Sequence, residues 1–321
     1  MTFKTTLLVS ALFAAGAAQA EPAVIYDMGG KFDKSFNQAG FDGAEKWKKE
    51  TGKAYLEFEI SNPTQREQAK RRMAERGADP IVGIGFSQGT SLEKVAKDFP
   101  KLKFAIIDSV VALPNVQSIV FKEHEGSFLV GMMAALASKT GKVGFVGGMD
   151  IPLIRKFQCG FEQGAKYANP KAQVTGNMTG TTPAAWNDPA RGAELAKAQF
   201  AGGVDVIFAA AGGTGIGVYQ AAKDGGKLAI GVDSNQNHLQ PGTMLTSMVK
   251  RVDVAVYNAF KGVKPGVTSL GLAEGGVDYA MDEHNAKLVS ADMKKQVDTA
   301  KADIISGKIK VIDYMTASTC K

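Results

Sequence analysis

The chain has 321 residues, 45% of them apolar and 22% charged, and a formal net charge of +6, a length ample for two domains that each bury a core. The positive excess is spread along the chain, which excludes the clustered basic patch that nucleic-acid binding needs. The three histidines, His124, His238 and His284, fall in no metal-ligand spacing, so neither a metal site nor a cofactor is expected.

Lys4, an apolar run over 7–18 and the small residues of Ala18-Gln19-Ala20 before Glu21-Pro22 have the layout of a secretory signal peptide, too short to span a bilayer. Cleavage is expected after Ala20. No cysteine follows the small residues, so lipid attachment at that junction has no acceptor. No later stretch is apolar for long enough to cross a membrane.

A first strand is predicted over 22–27, ending on the carboxylate of Asp27. The loop 28–38 feeds a helix that runs to Glu50 and stops at Gly52. A strand over 55–60 and a helix over 63–76 follow, with Gly77 as the stop. After a strand at 116–121 the chain crosses into a second half: helix 125–138, strand 142–147, a helix carrying Cys159 and Gly164, strand 172–179, loop 181–187 and helix 189–201. A strand over 242–249 ends at Lys250. The helix to Lys261 returns to the first half, a long helix over 291–306 stops at Gly307, and a short final strand is expected over 308–312.

One unit is written twice. Residues 77–109 read GADPIVGIGFSQGTSLEKVAKDFPKLKFAIIDS, and residues 203–234 read GVDVIFAAAGGTGIGVYQAAKDGGKLAIGVDS. Both run Gly-x-Asp, an apolar stretch, a Gly-rich turn, a helix with Ala-Lys-Asp and an apolar run closing on Asp-Ser, which is a βαβ unit. The helices before them also match, AGFDGAEKW at 39–47 against CGFEQGAKY at 159–167. The expectation is an α/β protein of two doubly wound lobes with parallel sheets and right-handed crossovers. The first lobe takes 21–122 plus 251–280 and the second 123–250 plus 281–321. In such sheets ligands sit beyond the carboxyl ends of the strands. Asp108 and Asp233 are therefore candidates to face each other across a cleft, with Asp27 at a third strand end. A capping carboxylate is the competing role for each.

Cys159 and Cys320 either pair, pinning the C-terminal tail to the second lobe, or stay as free thiols; spacing leaves both open. The Gly-rich turn at 212–217 is no phosphate loop, because the full GxGxxG spacing is not met and no Gly-Lys-Ser/Thr follows. With no nucleophile and base pairing either, catalysis is not expected.

The segments DMGGKFDKSFNQ (27–38), GKVGFVGG (141–148) and GVDSNQ (231–236), in this order after a signal peptide, resemble the basic membrane protein family of solute-binding proteins of ABC importers. The likeness runs nearly the whole mature chain. It implies a type I periplasmic-binding fold, a periplasmic monomer with a hinge between lobes, a purine nucleoside ligand (adenosine, guanosine or inosine) and a permease as partner. Matched to the motifs of nucleoside-binding members, the ligand site takes Asp27, Phe36, Asn37 and Asp108 from the first lobe. From the second it takes Phe208, Gly212, Asp233 and Lys250. Phe36 and Phe208 stand for the two aromatics that sandwich the base, although on its strand position alone Phe208 reads as core. Trp186 stays outside this set. The family commonly has an acid where this chain has Phe32, and Ser-Asp-Gln where it has Ser234-Asn235-Gln236. A receptor of the same fold for a free nucleobase or a sugar is the alternative, and a nucleoside-processing enzyme a more distant one.

Overall fold

The computed structural model describes residues 20–320, so the expected signal peptide, apart from Ala20, lies outside the described residues. The first half builds β1 (Ala23–Tyr26), α1 (Phe36–Thr51), β2 (Leu56–Glu59), α2 (Gln65–Glu75), β3 (Ile81–Ile84), α3 (Gly89–Asp98), β4 (Phe104–Ile107) and β5 (Val116–Phe121). The second repeats the pattern with α4 (Glu123–Ala137), β6 (Lys142–Met149), α5 (Pro152–Ala168), β7 (Gln173–Gly180), α6 (Pro189–Ala201), β8 (Val206–Ala210), α7 (Gly215–Asp224), β9 (Leu228–Asp233) and β10 (Met244–Lys250). The chain closes with α8 (Val252–Lys261), β11 (Gly266–Leu270), β12 (Val277–Tyr279), α9 (Ala291–Ile305) and α10 (Tyr314–Ala317).

Two six-stranded sheets result, in the orders β11-β5-β4-β3-β1-β2 and β12-β10-β9-β8-β6-β7. Only β12 runs antiparallel to its neighbour. The central runs AVIY, IVGI and FAII are buried at every residue, as parallel strands covered by helices on both faces must be. The edge strand β2, LEFE, instead alternates half-buried and exposed residues. In both lobes the strand order doubles back beside the first strand, between β1 and β3 and between β6 and β8. That reversal opens a crevice at the carboxyl ends of the strands.

The two-lobe α/β architecture expected from the duplication is present, with three differences in the last 60 or so residues. β11 and β12 were not anticipated. Val277–Tyr279 pairs with β10 in the second sheet, although 251–280 was assigned to the first lobe; β11 and α8, which packs on α1, do lie there. The strand expected over 308–312 does not form. Ile312 instead hydrogen-bonds the side-chain amide of Gln163 through both its N–H (2.8 Å) and its carbonyl (3.1 Å). The tail beyond ends in a disulfide between Cys159 and Cys320, with Cα atoms 5.3 Å apart.

The chain passes between the sheets three times, after Phe121, after Lys250 and after Leu270. The passages are tied together by Lys122 N–H to the Leu270 carbonyl (2.9 Å) and Arg251 N–H to that of Gly276 (2.8 Å). In the second lobe α4 is buried almost all round and lies tightly against α5. The glycines make that approach possible: a Cβ at Gly131, Gly160 or Gly164 would strike the backbone of Phe161, His124 or Phe128.

Candidate functional site

The crevices of the two lobes face each other and form one cleft. Asp27, Met28, Asp33, Phe36, Asn37, Gly85, Phe86 and Asp108 contribute from the first lobe, and Leu153, Ile154, Phe157, Trp186, Ala210, Gly212, Val232, Asp233 and Lys250 from the second. The space between these walls, counted out to the mouth and including open solvent, is about 620 Å³. Seven of the eight residues expected from the sequence meet here.

The β1–α1 loop sets one wall. Asp33 accepts the N–H groups of Ser35 (2.8 Å), Asn37 (3.0 Å) and Gln38 (3.1 Å), so it satisfies donors that the start of α1 leaves free. Burial nevertheless pushes its carboxyl up to about 7. Asn37 does not offer its amide to the cleft. Its Oδ1 takes the N–H of Asp27 (3.1 Å), and its Nδ2 donates to the carbonyls of Asp27 (3.1 Å) and Gly30 (3.2 Å). Asp27 is similarly engaged, by Met28 N–H (2.9 Å), Arg66 (3.1 Å) and the Ser87 hydroxyl. Both side chains shape the loop that presents Phe36.

The two copied strand ends carry the strongest signal of a built site. Asp108 and Asp233 have φ of 66° and 63°, left-handed conformations that non-glycine residues adopt at a cost and that cluster at functional positions. Each is engaged by the opposite lobe. Lys250 Nζ donates to Asp108 Oδ2 at 2.6 Å, and the Ser35 hydroxyl donates to Asp233 Oδ2 at 2.5 Å. Burial raises both carboxyls, that of Asp108 to about 6, with Lys250 pulling in the other direction. The Asp108 Oδ1 atom is buried and has no hydrogen-bond partner among the described residues.

Lys250 is 2% exposed, far from the solvated position that a lysine at a strand end suggests. Besides Asp108 it meets Glu123 at 2.9 Å, and Glu123 meets Lys156 at 2.8 Å. The carboxylates around Lys250 outweigh its burial and hold its pKa above the usual lysine value. For Glu123 burial works the other way, but the two ammonium groups prevail and hold it at about 2. Lys250 Nζ also lies 5.0 Å from the ring centre of Phe36, close enough for a cation–π contact.

Phe208 is the expected residue that does not reach the cleft. It is fully buried in β8, with its ring 5.6 Å from that of Phe145 and 5.5 Å from that of Phe161. Ala210, one pleat further along the strand, lines the cleft in its place. The aromatic surface of the second lobe comes from Trp186 and Phe157, both missed as site residues. Trp186 ends a 3₁₀ turn, Pro183–Trp186. That turn is held by Thr214 and Thr179, whose hydroxyls donate to the Ala185 carbonyl at 2.8 and 3.1 Å. The indole lies against Gly148, where a Cβ would collide with it. The alternation of a strand and the Gly-Gly of the 141–148 motif could have pointed to these positions; Phe157, on the first turns of α5, left no comparable mark.

Among the described residues no cluster of His, Cys, Asp or Glu could hold a metal ion, and no helix is long and apolar enough to cross a membrane.

Residues 20–313 match the family described as ABC transporter substrate-binding protein, PnrA-like. The chain is 32% identical to the ABC transporter nucleoside-binding protein BmpA of Lactococcus lactis subsp. cremoris, over 90% of this chain and 88% of that one. It is 33% identical to basic membrane protein A of Borreliella burgdorferi, over 90% and 87%. Among solved structures, an ABC transporter solute-binding protein from Aeropyrum pernix K1 superimposes with a TM-score of 0.85 at 30% identity, covering 94% of this chain and 95% of that one. With two lobes of matching topology around a shared cleft, the chain belongs to the PnrA-like family of ABC transporter substrate-binding proteins.

Proposed function

We propose that this protein captures a purine nucleoside in the interlobe cleft and delivers it to the permease of an ABC importer, acting in the periplasm as a monomer after loss of its first 20 residues and carrying out no catalysis. The observation that carries the reading is the acid pair Asp108 and Asp233, held at two strand ends beside aromatic walls, with Asp108 Oδ1 buried and unpartnered. A buried carboxylate oxygen of this kind accepts from a ligand hydroxyl, and a ligand lacking that hydroxyl is rejected because the oxygen stays unsatisfied. The ribose of a nucleoside supplies such donors. Phe36 from the first lobe and Trp186 from the second supply faces for a planar base, with Trp186 taking the role first assigned to Phe208.

The charge of the cleft narrows the choice further. Four acids line it, Asp27, Asp33, Asp108 and Asp233, against the ammonium of Lys250. Arg66 pairs with Asp27 and burial raises Asp33 to about 7, so Asp108 and Asp233 supply most of the negative charge that opposes a phosphate-bearing nucleotide. The name of the Lactococcus relative, a nucleoside-binding protein, agrees with this reading. Ligand closes the two lobes about the three chain passages by favouring the closed arrangement over the open one.

Calorimetric titration of the ligand-stripped mature chain with adenosine, guanosine, inosine, inosine monophosphate, adenine, uridine and ribose tests the proposal. Purine nucleosides are expected to bind, with ribose silent and the monophosphate much weaker. Adenine binding best, with no loss in Asp108→Asn, would replace the nucleoside by a free base.

A further inference from the structure

Glu123 belongs to no wall of the cleft, yet it is almost completely buried, at 1% exposed. It is the first residue of α4, directly after the first passage between lobes. Lys250 is the last residue of β10, directly before the second. We infer that Glu123 is a positioning residue for the ligand site: it holds the Lys250 ammonium off the free oxygen of Asp108, so that this oxygen stays available to the ligand.

The geometry makes Glu123 a divider between two lysines. Its Oε1 lies 2.9 Å from Lys250 Nζ and its Oε2 lies 2.8 Å from Lys156 Nζ. Lys156 is itself fixed, donating to the Phe121 carbonyl at 2.6 Å and lying 3.7 Å from Asp313. One end of Glu123 is thereby anchored, and the other fixes where Lys250 can sit. On its far side Lys250 bonds Asp108 through Oδ2 alone, at 2.6 Å. Asp233 adds attraction from the cleft, while His124, 3.9 Å from Asp313, adds no charge beside Lys156, because burial lowers its pKa to about 4. Without the pull of Glu123, Asp108 is left as the one carboxylate within ion-pair distance of Lys250 among the described residues. The ammonium then settles across both carboxylate oxygens, and the acceptor that the ligand needs is consumed.

This inference rests on the reading of the cleft as a site for a hydroxyl-bearing ligand, and its test has one arm that needs no ligand. The mature chain is compared with Glu123→Gln, Glu123→Asp, Lys156→Met, Lys250→Met and the double variant Lys250→Met/Glu123→Gln. In the ligand-stripped crystal structure of Glu123→Gln, Lys250 Nζ is expected to shift by about 1 Å or more toward Asp108 Oδ1, a displacement large enough to spoil a site. In calorimetry, inosine affinity is expected to fall about tenfold to hundredfold, the worth of a charged hydrogen bond. The double variant should bind within about threefold of Lys250→Met alone, since a residue acting through another adds nothing once that other is gone. Lys156→Met frees the anchored end of Glu123 and should shift Lys250 and lower inosine affinity in the same direction as Glu123→Gln, in smaller measure.

An unmoved Lys250 in Glu123→Gln, or losses that multiply in the double variant, would overturn the inference. Should Glu123→Gln fail to fold, Glu123→Asp must show the same displacement in smaller measure, and full affinity with Lys250 in place would overturn it equally. If wild type binds none of adenosine, guanosine and inosine, the nucleoside reading falls, and the position of Lys250 in the variant crystals still decides the role of Glu123.

Discussion

The two copies of the βαβ unit end alike and are used differently. In both, the chain leaves a buried parallel strand through an aspartate in the left-handed region, Asp108 in the first and Asp233 in the second. In both, the carboxylate is met by a group from the opposite lobe. The partners differ. Asp108 receives an ammonium, from Lys250, and keeps an oxygen free. Asp233 receives a neutral hydroxyl, from Ser35, in a segment where Ser234 Oγ also donates to the Ser35 carbonyl (3.0 Å) and Gln236 Nε2 to that of Lys34 (2.8 Å). Duplication preserved the backbone that aims a carboxylate at the cleft. The different partners leave one end with a free carboxylate oxygen and bind the other to a hydroxyl across the lobes.

The sharpest way to break this comparison is to remove the ammonium. Lys250→Met strands Asp108 and Glu123 in a buried site, and losing one partner of such a network costs about 3–5 kcal/mol of stability. Chemical denaturation should show that loss, and calorimetry a fall in nucleoside affinity of about a hundredfold or more. An effect on affinity no larger than that of Ser35→Ala would mean that the two strand ends are equivalent after all.

The aromatics of the second lobe separate in the same spirit. Trp186→Ala should weaken nucleoside binding by about 1–3 kcal/mol, the range for stacking on a base, with little change in melting temperature. Phe208→Ala should do the reverse, lowering stability by about 3–5 kcal/mol as a core truncation and leaving the affinity of the folded fraction intact.

The aspartates themselves should then divide. Asp108→Asn retains the shape and a side chain that tolerates the left-handed region, and removes the charged acceptor; a loss of about tenfold or more in nucleoside affinity is expected. Asp233→Asn should cost less, because its hydroxyl partner can bond an amide as well. Equal losses would make both carboxylates ligand acceptors.

A smaller, pH-dependent effect follows from Asp108. Burial raises its carboxyl to about 6, and only the ionised form accepts on both oxygens. Affinity is therefore expected to be full above that value and to decline as pH falls through it, with protons released on binding near pH 6. Calorimetry in buffers of different ionisation enthalpy measures that release. In Asp108→Asn the decline should be flatter, whereas Asp233→Asn should leave it in place.

Much of this is legible in the sequence. The duplication, the alternation of apolar strand and helix, and the carboxylates closing 22–27, 77–109 and 203–234 are local features, and each appears in the fold. Asp27, Phe36, Asn37, Asp108, Gly212, Asp233 and Lys250 do line one cleft. What failed depended on depth or on partners. Phe208 lies one strand repeat, about 6 to 7 Å, short of the end where the cleft begins, and a motif match carries no measure of depth. Asn37 has the donor and acceptor of a base-reading side chain, but the carbonyls of Asp27 and Gly30 and the N–H of Asp27 occupy both. The 308–312 segment alternates like a strand, but Ile312 bonds the Gln163 amide and pairs with no strand.

The sequence by itself determined the two lobes, their parallel sheets and the crevice at the strand ends, because hydrophobic period, glycine stops and repetition act within a few residues of one another. Only the tertiary structure decided which side chains share the cleft and in what state of charge. Lys250 meets Asp108 across 142 positions and Ser35 meets Asp233 across 198. Glu123 gains its part from Lys156 and Lys250 together. The burial that makes these contacts strong exists only once both lobes have folded and closed on each other.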